Sequence, residues 1–158
     1  MHDITPCFWF DTQAEEAARM WTSVFPNSRI TSISHYGEAG PREAGMVMVV
    51  SFELDGRPFT ALNGGPQCTF SEAVSFQVMC DDQAQIDHFW DALGDGGEPG
   101  PCGWIRDRFG ISWQIVPRRL TELLTQSDPE TSQRVMTCMM SMGKLVIAEL
   151  EEAAAAKV

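Results

Sequence analysis

Apolar residues recur along this chain with two different periods, and each change of period marks a new element. Ile4 to Phe10 is rich in aromatic and β-favouring residues and predicts a first strand, which stops at Asp11 and Thr12 where helix-start chemistry begins. Thr12 and Glu15 stand at capping-box spacing. Ala14, Ala17, Ala18, Trp21, Val24 and Phe25 then follow at helical intervals until Pro26 and Asn27 break the pattern. Arg29 to Tyr36 predicts a second strand, and Gly37, Gly40 and Pro41 a loop. Met46, Met48, Val50, Phe52 and Leu54 then share one face of a long third strand. Asp55-Gly56 predicts a tight hairpin turn, from which Arg57 to Leu62 returns antiparallel. Asn63-Gly64-Gly65-Pro66 closes the unit as a connector.

The same order then begins again. Val74, Phe76, Val78 and Cys80 alternate as a strand, and Ile86, Phe89, Trp90 and Leu93 follow at helical spacing. A glycine-dense stretch (Gly94, Gly96, Gly97, Gly100, Gly103) leads to a strand at Trp104 to Arg106, a turn at Asp107 to Gly110 and a last strand from Ile111 to Val116. The repeat is one of element order, not of residue identity. From Arg118 onward the pattern is helical, with Pro129 and Glu130 opening a helix and Val135, Met136, Met139, Met140, Leu145, Ile147 and Leu150 supplying apolar positions.

Composition narrows the classes. With 158 residues and 44% hydrophobic content the chain can bury one good core, and hardly two independent ones. A formal net charge of −11 opposes nucleic acid and anionic membrane as partners, since both would repel it. The N-terminus lacks a basic segment leading into an apolar run, and no stretch approaches the roughly 20 apolar residues that span a bilayer. Five cysteines, Cys7, Cys68, Cys80, Cys102 and Cys138, form no C-x-x-C pair and read as reduced thiols. The expectation is a cytoplasmic protein.

The duplicated order of strand, helix and strands resembles the vicinal oxygen chelate superfamily of glyoxalase I, extradiol dioxygenases and bleomycin-resistance proteins. Four stretches narrow the resemblance to its PhnB-like branch, often catalogued under a 3-demethylubiquinone methyltransferase label. They are Trp9-Phe10-Asp11 through Ala14 to Ala18; Ala61 to Pro66; Ser75-Phe76-Gln77-Val78; and Cys102-Gly103-Trp104 through Gly110 to Trp113-Gln114-Ile115-Val116-Pro117. Arg134-Val135-Met136 and Lys144-Leu145 extend the likeness into the tail. The resemblance implies an α+β fold of two tandem βαβββ modules of the glyoxalase/bleomycin-resistance/dioxygenase type. Residues 1–117 would form that domain, from modules 1–66 and 67–117, with a helical tail over 118–158. The methyltransferase label has no support in the residues. A nucleotide-type cofactor needs a glycine-rich turn between strand and helix, and here that turn is Phe10-Asp11-Thr12-Gln13.

In metal-dependent relatives four ligands project from the first and last strands of each module. Matching elements in order places Thr5 or Pro6, Thr60, Ser75 and Gln114 there, and neutral hydroxyls and amides supply neither charge nor basicity to a divalent ion. No metal and no cofactor is expected at these positions. His2, His35 and His88 read as surface residues. If Ser75 and Gln114 face the cup, strand parity turns Gln77, Met79, Ser112 and Val116 the same way, and Val74, Phe76, Val78, Ile111, Trp113 and Ile115 toward the helices. A neutral polar cup with apolar walls suits a small organic molecule. Equally, these polar residues could satisfy one another across a dimer core.

The candidate binding residues are Trp9, Thr60, Asn63, Ser75, Gln77, Cys102, Trp104 and Gln114. Cys102 could act as a nucleophile or be inert, and Asp107 could be a general base, though Asp107-Arg108-Phe109-Gly110 reads more simply as a turn. The resemblance also implies a homodimer, because that superfamily commonly completes its cups by pairing modules between chains. The preferred reading is a PhnB-like protein binding a small organic molecule without metal. The alternatives are a metal-dependent glyoxalase, isomerase or dioxygenase using residues such as His35, Glu53 or Asp107, and a non-catalytic dimeric scaffold.

Overall fold

A computed structural model describes residues 2–156. Met1, Lys157 and Val158, at the outer ends of the first expected module and of the tail, lie outside the described residues. The chain divides into two compact units, one running through Thr69 and one starting at Phe70.

In the first unit, β1 (Cys7–Phe10) is followed by α1 (Ala14–Val24), β2 (Arg29–His35), β3 (Val47–Leu54) and β4 (Arg57–Asn63). The sheet order is β1-β4-β3-β2, with β1 parallel to β4 and the other pairs antiparallel. Alternation along β3 buries Val50, Phe52 and Leu54 against α1, as the apolar pattern predicts. Trp21 is fully buried among Phe8, Phe10 and Phe52, with ring centroids 5.1, 6.2 and 5.8 Å away. The Asp55-Gly56 turn has both residues at positive φ, 47° and 74°, which is the backbone of a two-residue primed hairpin turn.

The second unit repeats the plan with β5 (Ser75–Cys80), α2 (Gln83–Gly94), β6 (Glu98–Pro99), β7 (Trp104–Arg106) and β8 (Ser112–Pro117). Its sheet order is β5-β8-β7-β6, again with the first and last strands of the module parallel. The architecture is α+β, with the expected pair of βαβββ modules and helices after them. The short β6 lies inside the stretch that glycine content reads as a loop.

Two local expectations change. The first strand is shorter than Ile4 to Phe10, and Ile4 is almost fully exposed. The Thr12 and Glu15 capping box does not form either. The residue before α1 is Gln13, which gives no side-chain cap, and the free N–H of Ala14 donates instead to Asn63 Oδ1 at 2.9 Å. A β4 side chain 49 residues distant thus does the work assigned to a local hydroxyl.

The tail forms α3 (Arg118–Gln126), α4 (Pro129–Met140) and α5 (Ile147–Ala155), and it packs as part of the second unit. Leu120, Leu123, Val135, Met142, Leu145 and Leu150 make its core. Asp128 caps α4 through Thr131 N–H, with Pro129 at the first turn. Gln83 of α2 fastens the tail at both ends of its amide, donating to Leu145 O at 3.1 Å and accepting from Ile147 N–H at 2.9 Å.

Candidate functional site

Strand pairing in the second unit lines up two rows of side chains on the face away from α2. Parallel register sets Ser75 beside Ser112 and Gln77 beside Gln114, while antiparallel register sets Ser112 beside Arg106, Gln114 beside Trp104, and Arg106 beside Glu98. Trp113 and Ile115 occupy the opposite, buried face, so the expected parity holds on β8, and Ile105 of β7 is buried with them. Val74 departs from it, being mostly exposed just before β5.

The polar rows are not mutually satisfied. Gln114 Nε2 donates to Ser75 Oγ at 2.8 Å, a diagonal bond to the strand neighbour two residues back in register, and Gln77 Nε2 donates to Gln114 Oε1 at 3.4 Å. The diagonal bond bypasses Ser112. That residue is 3% exposed, and its hydroxyl has no hydrogen-bond partner among the described residues. A buried hydroxyl in that state costs about 1–3 kcal/mol, which folded proteins seldom tolerate without a use.

Ser112 lies in the wall of a cavity of about 370 Å³, at the small end of the usual ligand-site range. Trp104, Pro99 and Pro101 give the wall its apolar part; Glu72, Glu98 and Arg106 give it charge. Arg106 is ion-paired with Glu98, both largely exposed. The turn that shapes this wall needs a left-handed backbone at Cys102 (φ 56°) and Gly103 (φ 83°), and a Cβ on Gly103 would come within 2.7 Å of Ile115 O. The tail holds that turn in place, since Cys102 N–H donates to Met142 O and Gly103 N–H to Gly143 O, each at 2.8 Å.

Of the eight residues singled out from the sequence, Trp104 lines the cavity, and Ser75, Gln77 and Gln114 form the hydrogen-bonded network beside it. Cys102 sits in the supporting turn, its thiol 3.7 Å from Met140 Sδ. Trp9, Thr60 and Asn63 belong to the first unit. Trp9 Nε1 donates to Gly65 O at 3.0 Å, and Thr60 Oγ1 reaches Pro6 O at 3.5 Å. Asn63 is buried with both ends of its amide in use, on Ala14 N–H and Val47 O.

Glu98, Pro99 and Arg106 were not among the residues singled out, because only the β6-β7-β8 register brings them into line with Ser112, and neither was Glu72, which joins the wall from the segment before β5. Asp107 is accounted for by structure. Its buried carboxylate accepts from Phe109 N–H, Ile111 N–H and Trp113 Nε1 at 2.9, 3.0 and 2.8 Å, holding the turn and the last strand. Cys80 is unsuited to nucleophilic work, because burial, and then the nearby Asp81 and Asp82, push its thiol up to about 11.

Neither group suggested by the resemblance fits these residues. Ser75 and Gln114 at the metal-ligand positions bond to each other, and no cluster of three His, Cys, Asp or Glu able to hold a metal ion occurs among the described residues. The N-termini of α1 and α2, where a nucleotide-type cofactor would lie, are closed by Asn63 and by the Asp82 carboxylate, which accepts from Gln85 N–H. No helix among the described residues is long and apolar enough to cross a membrane.

Comparison with known proteins agrees with the repeat. The family described as 3-demethylubiquinone-9 3-methyltransferase matches residues 2–116. Among solved structures, the PhnB protein of Bacillus cereus, which carries the same methyltransferase name, is 33% identical, covering 73% of this chain and 99% of its own at a TM-score of 0.66. The PA1353 protein of Pseudomonas aeruginosa shares the fold at 18% identity and a TM-score of 0.62, over 74% of this chain and 98% of its own. No curated protein matches the chain.

Proposed function

The chain belongs to the PhnB-like family, whose model bears the 3-demethylubiquinone-9 3-methyltransferase name, and from that premise we propose that it binds a small organic molecule without metal on the second sheet. The observation that carries this reading is Ser112, a residue in the wall of a cavity of about 370 Å³ whose buried hydroxyl has no hydrogen-bond partner among the described residues. A ligand that hydrogen-bonds Ser112 removes a desolvation cost that the empty protein bears, so part of its affinity is already provided for. Trp104 and the prolines supply apolar area, while the Gln77, Gln114 and Ser75 network holds the neighbouring row rigid.

A nucleotide-type methyl donor at the N-terminus of α1 or α2 would have to displace the hydrogen bonds to Asn63 and Asp82, which argues against methyl transfer at either end. The proposal includes a cytoplasmic homodimer. Five free cysteines support the compartment, and the exposed Val74, Met136 and Met140 support a covering partner copy.

A thermal-shift screen of small aromatic and dicarbonyl compounds, with and without divalent metals, tests the binding function. At about a hundredfold excess over Kd a true ligand stabilises by about 2.7 kcal/mol, and it should do so equally after chelator treatment. A flat response across the panel would leave the scaffold alternative standing. Light scattering at micromolar concentration tests the dimer, and a monomer there counts against it.

A further inference from the structure

The charged groups in the cavity wall are two carboxylates, Glu72 and Glu98, and one guanidinium, Arg106. Glu98 and Arg106 neutralise each other in an ion pair. Glu72 makes no ion pair or hydrogen bond with any described residue, so the wall carries one uncompensated negative charge. The chain's formal net charge of −11 reinforces it, raising the local concentration of cations and depleting anions. Trp104 shares the wall, and its indole nitrogen, unlike those of Trp9 and Trp113, has no acceptor among the described residues. An aromatic ring and an uncompensated carboxylate in the wall of one cavity together suit an alkylammonium group. Ser112, buried and unpartnered in the same wall, marks where a hydrogen-bonding group of the ligand ends up.

We infer that the occupant of this cavity is a small organic cation, an amine with an apolar body. Its ammonium lies toward Glu72 and Trp104, and a polar atom meets the Ser112 hydroxyl. This rests on the proposed binding function and deepens it by naming the ligand class. No bond is made or broken.

The test compares three isosteric probes on the intact protein: an arylalkylamine bearing a hydroxyl, the corresponding diol, and the corresponding hydroxy acid. Binding is followed by calorimetry and by chemical-shift changes of the Trp104 indole N–H. The amine is expected to bind about tenfold more tightly than the diol, the acid more weakly still, and added salt should narrow the gap. Glu72→Gln, an exposed loop substitution that leaves the core untouched, should reduce amine affinity about three- to tenfold and leave the diol unchanged. Equal or tighter binding of the diol or the acid would overturn the cation inference while leaving a ligand-binding cavity in place. No binding of any probe up to about 10 mM would overturn both.

Discussion

Ser75 and Ser112 sit side by side on parallel strands, and replacing each by alanine should move stability in opposite directions. Ser112, a residue 3% exposed, loses a hydroxyl that has no partner among the described residues, so Ser112→Ala removes a desolvation penalty of about 1–3 kcal/mol and breaks no bond among them. The volume change is a single oxygen. Strand preference of serine against alanine shifts the sum by only a few tenths of a kcal/mol. A net gain of about 1–2 kcal/mol follows, which for a chain of this length raises Tm by about 2–4 °C per kcal/mol. Ser75→Ala instead strands Gln114 Nε2, which donates to Ser75 at 2.8 Å, and should cost about 1 kcal/mol. Urea titration gives both values, and the midpoints should shift while the slopes stay constant. The same Ser112→Ala protein should bind cavity ligands about five- to tenfold more weakly, so that stability is gained where binding is lost. Loss of 1 kcal/mol or more from Ser112→Ala, on the scale of one ordinary hydrogen bond, would mean the hydroxyl is bonded in the folded protein and would remove the argument for a ligand there.

Other outcomes follow from the same contacts. Asn63→Ala frees Ala14 N–H and Val47 O together in a buried place, and should cost about 2–4 kcal/mol in a denaturation experiment while leaving cavity binding intact. Asp107→Asn turns an amide against one of three inward-pointing N–H donors, and about 2–3 kcal/mol of destabilisation is expected without any catalytic signature in a pH profile. In the native protein Cys7 and Cys68 should alkylate readily at mild alkaline pH. Cys80, buried and pushed up to about 11, should remain unlabelled by mass spectrometry until the protein unfolds. Hydrogen bonds from Thr131, first its backbone N–H and then its side chain, hold the Asp128 carboxyl below the ordinary aspartate value of 3.8. Its folded pKa is depressed, so its stabilisation of α4 is complete above pH 3.8 and is lost as pH falls through the lower folded value. Circular dichroism in acid should show that loss, and Asp128→Asn, which keeps a capping side chain, should lessen its pH dependence.

Local features of the chain were readable because local physics sets them. Alternation along β3, the helical stripe ending in Trp21, and the Asp55-Gly56 turn each depend on residues within one or two turns of each other, and all three appear in the fold. The duplicated order of elements, and with it the family, could be read for the same reason. The neutral row of Ser75, Gln77 and Gln114 was legible too, since strand parity alone puts those residues on one face.

Tertiary structure decided what lies between segments distant in the chain. The cap on α1 comes from Asn63 and not Thr12, because a buried amide fixed by Val47 O offers a better-placed acceptor than an exposed local hydroxyl. Register between β6, β7 and β8 set Glu98 and Arg106 in line with Ser112, and nothing in the glycine-rich stretch announces that pairing. The diagonal bond from Gln114 to Ser75 left Ser112 without a partner, and hydrogen-bond choice among equivalent neighbours is settled only when side-chain positions are fixed. Sequence by itself therefore determined the modules and the polar character of one sheet face, through interactions of short range. The line of Glu98, Arg106 and Ser112 arises from long-range register, and the Glu72 carboxylate joins their cavity from outside the strands, which the folded chain alone specifies.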